Sequence, residues 1–228
     1  MTFNYEHQMT APAEQWLRAQ GFLVKREFQT SWGICDLVGC SFDEEKVLKR
    51  LDFGQTRPIG SQIRAMILAK IPDKNEGKDI TLEELQEPFI NYLNGRKVET
   101  EVKKLIKDKF VHVTPQGTFQ KLNGWMPIQN KIVALELKLN RIEEALHQAI
   151  NNLAFADESY VGLPMKNAER VSTNARRRQF TYKGIGILGV TASECKVLLE
   201  PRPENSYKNE FIQCYSVEKF WTMHLRGN

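Results

Sequence analysis

The run KIVALELKLNRIEEALHQAINN, residues 131–152, limits the fold of this chain more than any other stretch. Its first half reads as a strand. Side chains along a strand point to opposite faces in turn. Val133, Leu135, Leu137 and Leu139 therefore share one face, and Ala134, Glu136 and Lys138 share the other. Its second half, RIEEALHQAINNLAFA, changes to helical spacing. A strand passing directly into an amphipathic helix predicts an α/β arrangement. The oddity is Glu136 with Lys138, two charges projecting from one side of the most apolar strand. The desolvation of a buried ion pair is often not offset by the attraction between its members. A cleft where something else is neutralised is the more reasonable setting.

A second carboxylate has similar surroundings. In GICDLVGC, Asp36 sits among Ile34, Cys35, Leu37 and Val38, although a short acid is a poor strand former and costly to bury. A divalent metal would account for both oddities. Mg²⁺ takes hard oxygen ligands, commonly one or two carboxylates with water and a substrate phosphate. A lysine beside it can stabilise a developing anion or orient an attacking water.

Elsewhere the texture alternates. APAEQWLRAQGF predicts a helix opened by Pro12 and closed by Gly21. FLVKREFQTSWGICDLVGCSF predicts two strands about a Thr-Ser-Trp-Gly turn, after which DEEKVLKRLDFGQTRP loses the alternation. From Pro58 the pattern is helical. IGSQIRAMILAKI has an apolar stripe of Ile59, Ile63, Met66, Ile67 and Ile71, and ITLEELQEPFINYL starts on a capping box of Thr81 and Glu84. GRKVETEVKKLIKDKF is apolar at Val98, Val102, Leu105 and Ile106, and VHVTPQGTFQKL predicts a short hairpin. Beyond Trp125, ESYVGLP, IGILGV and KVLLEPRP read as strands, with MKNAERVSTNARRRQFTYKG as helix or loop between them. The apolar IGILGV lacks the GxGxxG-then-helix context of a nucleotide loop and reads as a core strand with close backbone packing. The simplest organisation is one discontinuous α/β domain, 1–57 and 123–228, with a helical insertion at 58–122; insertions at loop tips are tolerated.

An Asp in one strand, Glu-x-Lys in another, an acid on the first helix (Glu14) and Gln148 on the helix after the lysine resemble the PD-(D/E)xK nuclease superfamily. The resemblance covers residues 11–42 and 128–200. It implies a restriction-endonuclease-like mixed sheet flanked by helices and metal-dependent phosphodiester hydrolysis. Asp36 and Glu136 would hold Mg²⁺ or Mn²⁺, Lys138 would assist catalysis, and Glu14 and Gln148 would be accessory. Cys35 stands where the family often has proline, and Asp36 and Glu136 are 100 residues apart. The insertion accounts for most of that separation. Glu14 has a solvent-facing alternative and Gln148 a backbone-bridging one.

The insertion, three helices then a hairpin, resembles a winged helix-turn-helix. The resemblance implies that its third helix meets the DNA major groove, with Arg96, Lys97, Lys103, Lys104 and Lys107 available to phosphates. Winged helices also dock proteins, and mixed Lys and Glu is an ordinary solvated face. Arg176, Arg177 and Arg178 form a denser basic run, suited to a backbone phosphate or simply to solubility. The net charge of +4 permits a polyanionic partner without demanding one. With 41% hydrophobic and 26% charged residues and no long apolar run, no membrane span is expected. The N-terminus shows no secretory pattern. Four cysteines without a CxxC pair suggest reduced thiols in a cytoplasmic protein. The expected activity is a DNA endonuclease acting on double-stranded DNA, as a homodimer if both strands are cut. The alternative is a non-catalytic DNA-binding or regulatory protein on the same scaffold.

Overall fold

The computed structural model describes residues 3–122, 127–202 and 207–227. In chain order the strands are β1 (Leu23–Gln29), β2 (Ile34–Phe42), β3 (Val111–Val113), β4 (Phe119–Lys121), β5 (Gln129–Leu137), β6 (Glu158–Pro164), β7 (Gly186–Val190) and β8 (Cys195–Leu199). The α-helices, nine among the described residues, are α1 (Thr10–Ala19), α2 (Glu44–Asp52), α3 (Gln62–Lys70), α4 (Leu82–Gln86), α5 (Gly95–Lys107), α6 (Ile142–Asn152), α7 (Met165–Thr173), α8 (Arg177–Lys183) and α9 (Glu210–Leu225). The chain divides into two units. One comprises the residues up to Ser41 with Gln129–Gln213, the other Phe42–Ile128 with Cys214–Gly227. The second unit thus begins before the expected insertion start at Pro58 and takes in a C-terminal stretch. The expected boundary at residue 123, like Pro203 at the end of the last expected strand, lies outside the described residues.

The first unit is α/β, with a six-stranded mixed sheet in the order β1-β2-β5-β6-β7-β8. The β1–β2 and β7–β8 pairs are antiparallel, while β5, β6 and β7 run parallel. Alternation gives the sheet two apolar faces. Val24, Leu37, Val133, Leu135, Leu137, Tyr160 and Leu188 pack with Met9, Ala13 and Leu17 of the α1 region. Val161, Leu163 and Ile187 pack on the other side with residues of α6, α7 and α8. The expected face of Val133, Leu135 and Leu137 is therefore the core face toward α1, with Leu139 partly buried against it. Pro12 lies in the first turn of α1, and Gly21 follows the helix with φ +83°, a left-handed conformation that suits glycine. At Gly186 a Cβ would overlap the Tyr160 ring, which is the close backbone packing expected of IGILGV.

In the second unit, α3, α4 and α5 precede the antiparallel β3–β4 hairpin. Ser61, Thr81 and Asn94 cap the three helices, each side chain accepting a backbone N–H of the first turn, and Thr81 with Glu84 completes the expected capping box. The buried residues of α3 are Ala65, Ile67 and Leu68, whereas Met66, expected in the stripe, is 41% exposed. Two helices escape the sequence patterns. In DEEKVLKRLD the apolar residues are few, and α2 is supported by the Asp43 cap, acids in its first turn and bases in its last. The C-terminal α9 shows no single stripe, because its buried residues, Val217, Phe220 and Trp221 among them, alternate with buried Ser216 and Glu218. Among the described residues no helix is long and apolar enough to cross a membrane.

Candidate active site

Three strand features bring the candidate groups together. Adjacent pairing of β2 with β5 sets Asp36 beside the end of β5, where its Oδ2 accepts the Leu137 N–H at 2.7 Å. Parallel pairing of β5 with β6 continues past the strand end, the Lys138 N–H donating to Gly162 O at 3.1 Å. The α6 helix returns over the face that carries Glu136, and Asn152 Nδ2 donates to Glu136 Oε1 at 2.7 Å.

Glu136 is only 2% exposed and Lys138 8%. Burial pushes the Glu136 carboxyl up to about 7; the hydrogen bond from Asn152 opposes this and the charge of Asp36 adds to it. Burial also raises Asp36, against the hydrogen bond from Leu137 and the charge of Lys138; the charge of Glu6 raises it further, and a hydrogen bond from Glu136 lowers it. The two acids therefore form a coupled pair that keeps a proton at a pH where ordinary carboxyls have lost theirs.

Lys138 does not pair with Glu136. Its Nζ lies 3.7 Å from Glu144 and 3.8 Å from Glu6, both long contacts. Glu6 also accepts the Leu139 N–H at 3.3 Å and reaches Arg141 at 3.6 Å.

The pair borders two spaces. Asp36 and Leu137 line a cleft of about 500 Å³ with Glu6, His7, Thr10 and Arg26. Glu136 lines a small cavity of about 50 Å³ with Thr30, Trp32, Gln148 and Asn151, large enough for a water. Gln148 Oε1 in this cavity is buried without a hydrogen-bond partner among the described residues. Gln148 thus stands beside Glu136. Glu14 binds Arg18 at 2.8 Å and Arg26 at 2.5 Å, and these arginines hold its carboxyl below the usual range against the opposing effect of burial. Its part is to anchor Arg26, which lines the cleft.

Three contributors escaped the sequence reading. Glu6 lies in the one-turn helix Glu6–Met9, before the expected first helix. Asn152 is four residues past Gln148, one helical turn along the same face; that spacing was the available signal. Cys35 accepts a weak bond from Asn152 Nδ2 at 3.4 Å, and burial, reinforced by the charge of Glu136, raises its thiol pKa.

The donor set suits a small hard cation. A buried carboxylate beside a half-buried one is strained unless a proton or cation lies between them. Among the described residues no group of three or more His, Cys, Asp or Glu is arranged to hold a metal ion. Asp36 and Glu136 are the two carboxylates here that could hold such an ion.

The basic residues are disposed differently. Lys103 pairs with Glu99 at 2.6 Å, Lys104 with Glu101 at 2.8 Å and Lys97 with Glu101 at 3.4 Å. Arg96 and Lys107 are exposed on α5. Arg176 lies 3.8 Å from Glu143, Arg177 donates to Ser172 O at 3.0 Å, and Arg178 is exposed.

No family model and no curated protein matches this chain. Among solved structures it is similar to the SPO1766 protein of unknown function from Silicibacter pomeroyi, with 12% sequence identity and a TM-score of 0.45, over 100% of this chain and 90% of that chain.

Proposed function

We propose that the protein is a metal-dependent deoxyribonuclease that hydrolyses phosphodiester bonds, built on a restriction-endonuclease-like sheet with a winged-helix-like insertion. The observation that carries this reading is the Asp36–Glu136 pair, one carboxyl half-buried and the other buried, with Lys138 beside it, since like charges are rarely packed together out of water for stability alone. Asp36 and Glu136 would hold the cation, and Asn152 and the Leu137 N–H fix the two carboxylates in place. The chemistry that Mg²⁺ or Mn²⁺ would supply there is positive charge near a phosphate and a more acidic bound water. Lys138, held among Glu6 and Glu144, would orient the attacking water or steady the developing anion. Glu6, which lines the cleft, lies 3.8 Å from Lys138 Nζ.

Arg176, Arg177 and Arg178 contact backbone phosphates of double-stranded DNA, with Arg96, Lys97, Lys103, Lys104 and Lys107 of α5 adding contacts of their own. Such contacts position the duplex and make affinity fall with salt. Cutting both strands would call for a homodimer.

The test is cleavage of plasmid and oligonucleotide DNA with Mg²⁺ or Mn²⁺, against chelator controls. Cleavage lost in Asp36→Asn, Glu136→Gln and Lys138→Ala supports the proposal. Absence of metal-dependent cleavage, or cleavage indifferent to these changes, overturns it. DNA binding that persists in that case, weakened by Arg178→Ala and indifferent to Asp36→Asn, points to the non-catalytic DNA-binding alternative.

A further inference from the structure

We propose that the groove between α4 and the start of α5 docks a basic amphipathic helix of a partner protein. The groove encloses about 500 Å³ and is lined by Glu83, Glu84, Glu87, Ile90, Leu93 and Gly95, with three carboxylates and no basic side chain in its lining. Ile90, in the lining, is 76% exposed, and Tyr92, two residues on and beyond the lining, is 84% exposed. Two large apolar side chains in water two residues apart are a reservoir of burial free energy that a partner recovers.

The surface is preformed. Glu84 is held by its capping bonds to Thr81, and Gln86 Nε2 donates to Gly95 O at 3.1 Å. The Tyr92 and Leu93 N–H groups both donate to Phe89 O, at 2.9 and 2.8 Å. Little ordering therefore opposes binding.

Charge selects the occupant. The nearby basic residues are directed along α5: Lys97 pairs with Glu101, Lys103 with Glu99, and Arg96 acts on Glu99. Glu83 and Glu87 remain to face a partner, and they repel nucleic-acid phosphates. A helix with Leu or Ile at i, i+3/i+4 spacing and Lys or Arg on its flanks meets both the apolar floor and the acidic lining. This inference is independent of the nuclease reading.

The test titrates the full chain with a fluorescent Leu/Lys amphipathic helical peptide, a Lys/Ser peptide of equal charge without an apolar face, and a duplex oligonucleotide. The Leu/Lys peptide is expected to bind about tenfold or more tighter than the Lys/Ser peptide. Ile90→Ser with Tyr92→Ser, and separately Glu83→Lys with Glu87→Lys, are expected to weaken it by about tenfold or more with thermal stability unchanged. Equal binding of the two peptides, or no loss in either double variant, overturns the proposal. Oligonucleotide binding lost in the Ile90/Tyr92 variant would assign the groove to nucleic acid, and a dimer abolished by that variant would assign it to a second copy; either result overturns it.

Discussion

Each unit buries ionisable side chains, and the two do so in opposite ways. In the second unit Arg50 and Glu218 meet through two hydrogen bonds, at 2.6 and 3.0 Å. Arg50 donates further to Gln55 O and Arg57 O, Glu218 accepts the Ile59 N–H at 2.8 Å, and the guanidinium stacks over Trp221 at 4.0 Å. The charges are opposite and their hydrogen-bonding capacity is taken up by the 55–59 segment. In the first unit Asp36 and Glu136 are like charges, Asp36 accepting from the Leu137 N–H and Glu136 from Asn152, and among the described residues the ion contacts of Lys138 are long ones. The Arg50–Glu218 group is complete within the chain. The acid pair keeps a proton to an unusually high pH, and the proposed function would put a cation in its place. Burial of charge is thus not in itself a mark of function; burial of like charge with spare coordinating capacity is.

The contrast breaks most visibly on mutation. Glu218→Ala leaves a buried guanidinium without its partner and is expected to destabilise the second unit by about 3–5 kcal/mol, read as a shift of the denaturant midpoint. Arg50→Met combined with Glu218→Leu is expected to recover most of that loss, since replacing both partners leaves no charge uncompensated. Glu136→Gln is expected to behave in the opposite manner. It removes like-charge repulsion and keeps the oxygen that accepts from Asn152, so the fold is as stable as before or more so, while cleavage falls by about a thousandfold or more. A Glu136→Gln protein as destabilised as Glu218→Ala would erase the distinction.

The pH dependence of stability sharpens it. The folded Glu136 carboxyl holds its proton up to about 7, against an ordinary value of 4.5. Between these values the native state binds more protons than the unfolded chain, so stability falls as pH rises from 4.5 to 7 and levels off above, a change of roughly 3 kcal/mol at most. Glu101 in the second unit gives the reverse slope. Burial opposes its ionisation, but hydrogen bonds from Lys104 and Arg64 hold it down to about 2. Its contribution is present above pH 4.5 and is lost as pH falls toward 2. Urea titrations of chelator-treated protein should show the neutral-range slope vanish in Glu136→Gln while the acid limb persists. Asn152→Ala has a smaller effect, about 1–2 kcal/mol, and should move the slope to higher pH because it removes the bond that favours the charged form.

Much of this was legible in the sequence where side-chain period and chemistry coincided. Alternation along β5 placed Glu136 opposite Leu135 and Leu137, and Asp36 was conspicuous as an acid among apolar neighbours. The caps of α4 and the turn between β1 and β2 were local signals and were readable for that reason. Glu6 was not, since it belongs to a single 3-10 turn and comes to Lys138 only through tertiary packing. The accessory acid was sought at Glu14 on α1, and that carboxylate pairs with Arg18 and Arg26, partners that spacing along one helix does not fully reveal. Buried charge in α9 broke its apolar stripe, and the Arg50–Glu218 pairing behind it, 168 residues apart in the chain, leaves no local trace.

The smallest expected effect concerns a third kind of charge. Lys103 and Glu99 form an i,i+4 pair at 2.6 Å with both side chains largely in solvent. Such a pair contributes about 0.5 kcal/mol or less, because water screens it and two flexible side chains must be held. Lys103→Ala should therefore leave stability within about 0.5 kcal/mol of the parent. Its DNA affinity is the informative quantity. If Lys103 exchanges Glu99 for a phosphate, the slope of log affinity against log salt drops by about 0.9, and the same change at Arg178 drops it equally. An unchanged slope at Lys103 with a reduced slope at Arg178 would remove α5 from the DNA-binding surface. The insertion's own contacts would then rest on the acidic groove beside Ile90 and Tyr92, where a protein helix rather than a duplex is the partner.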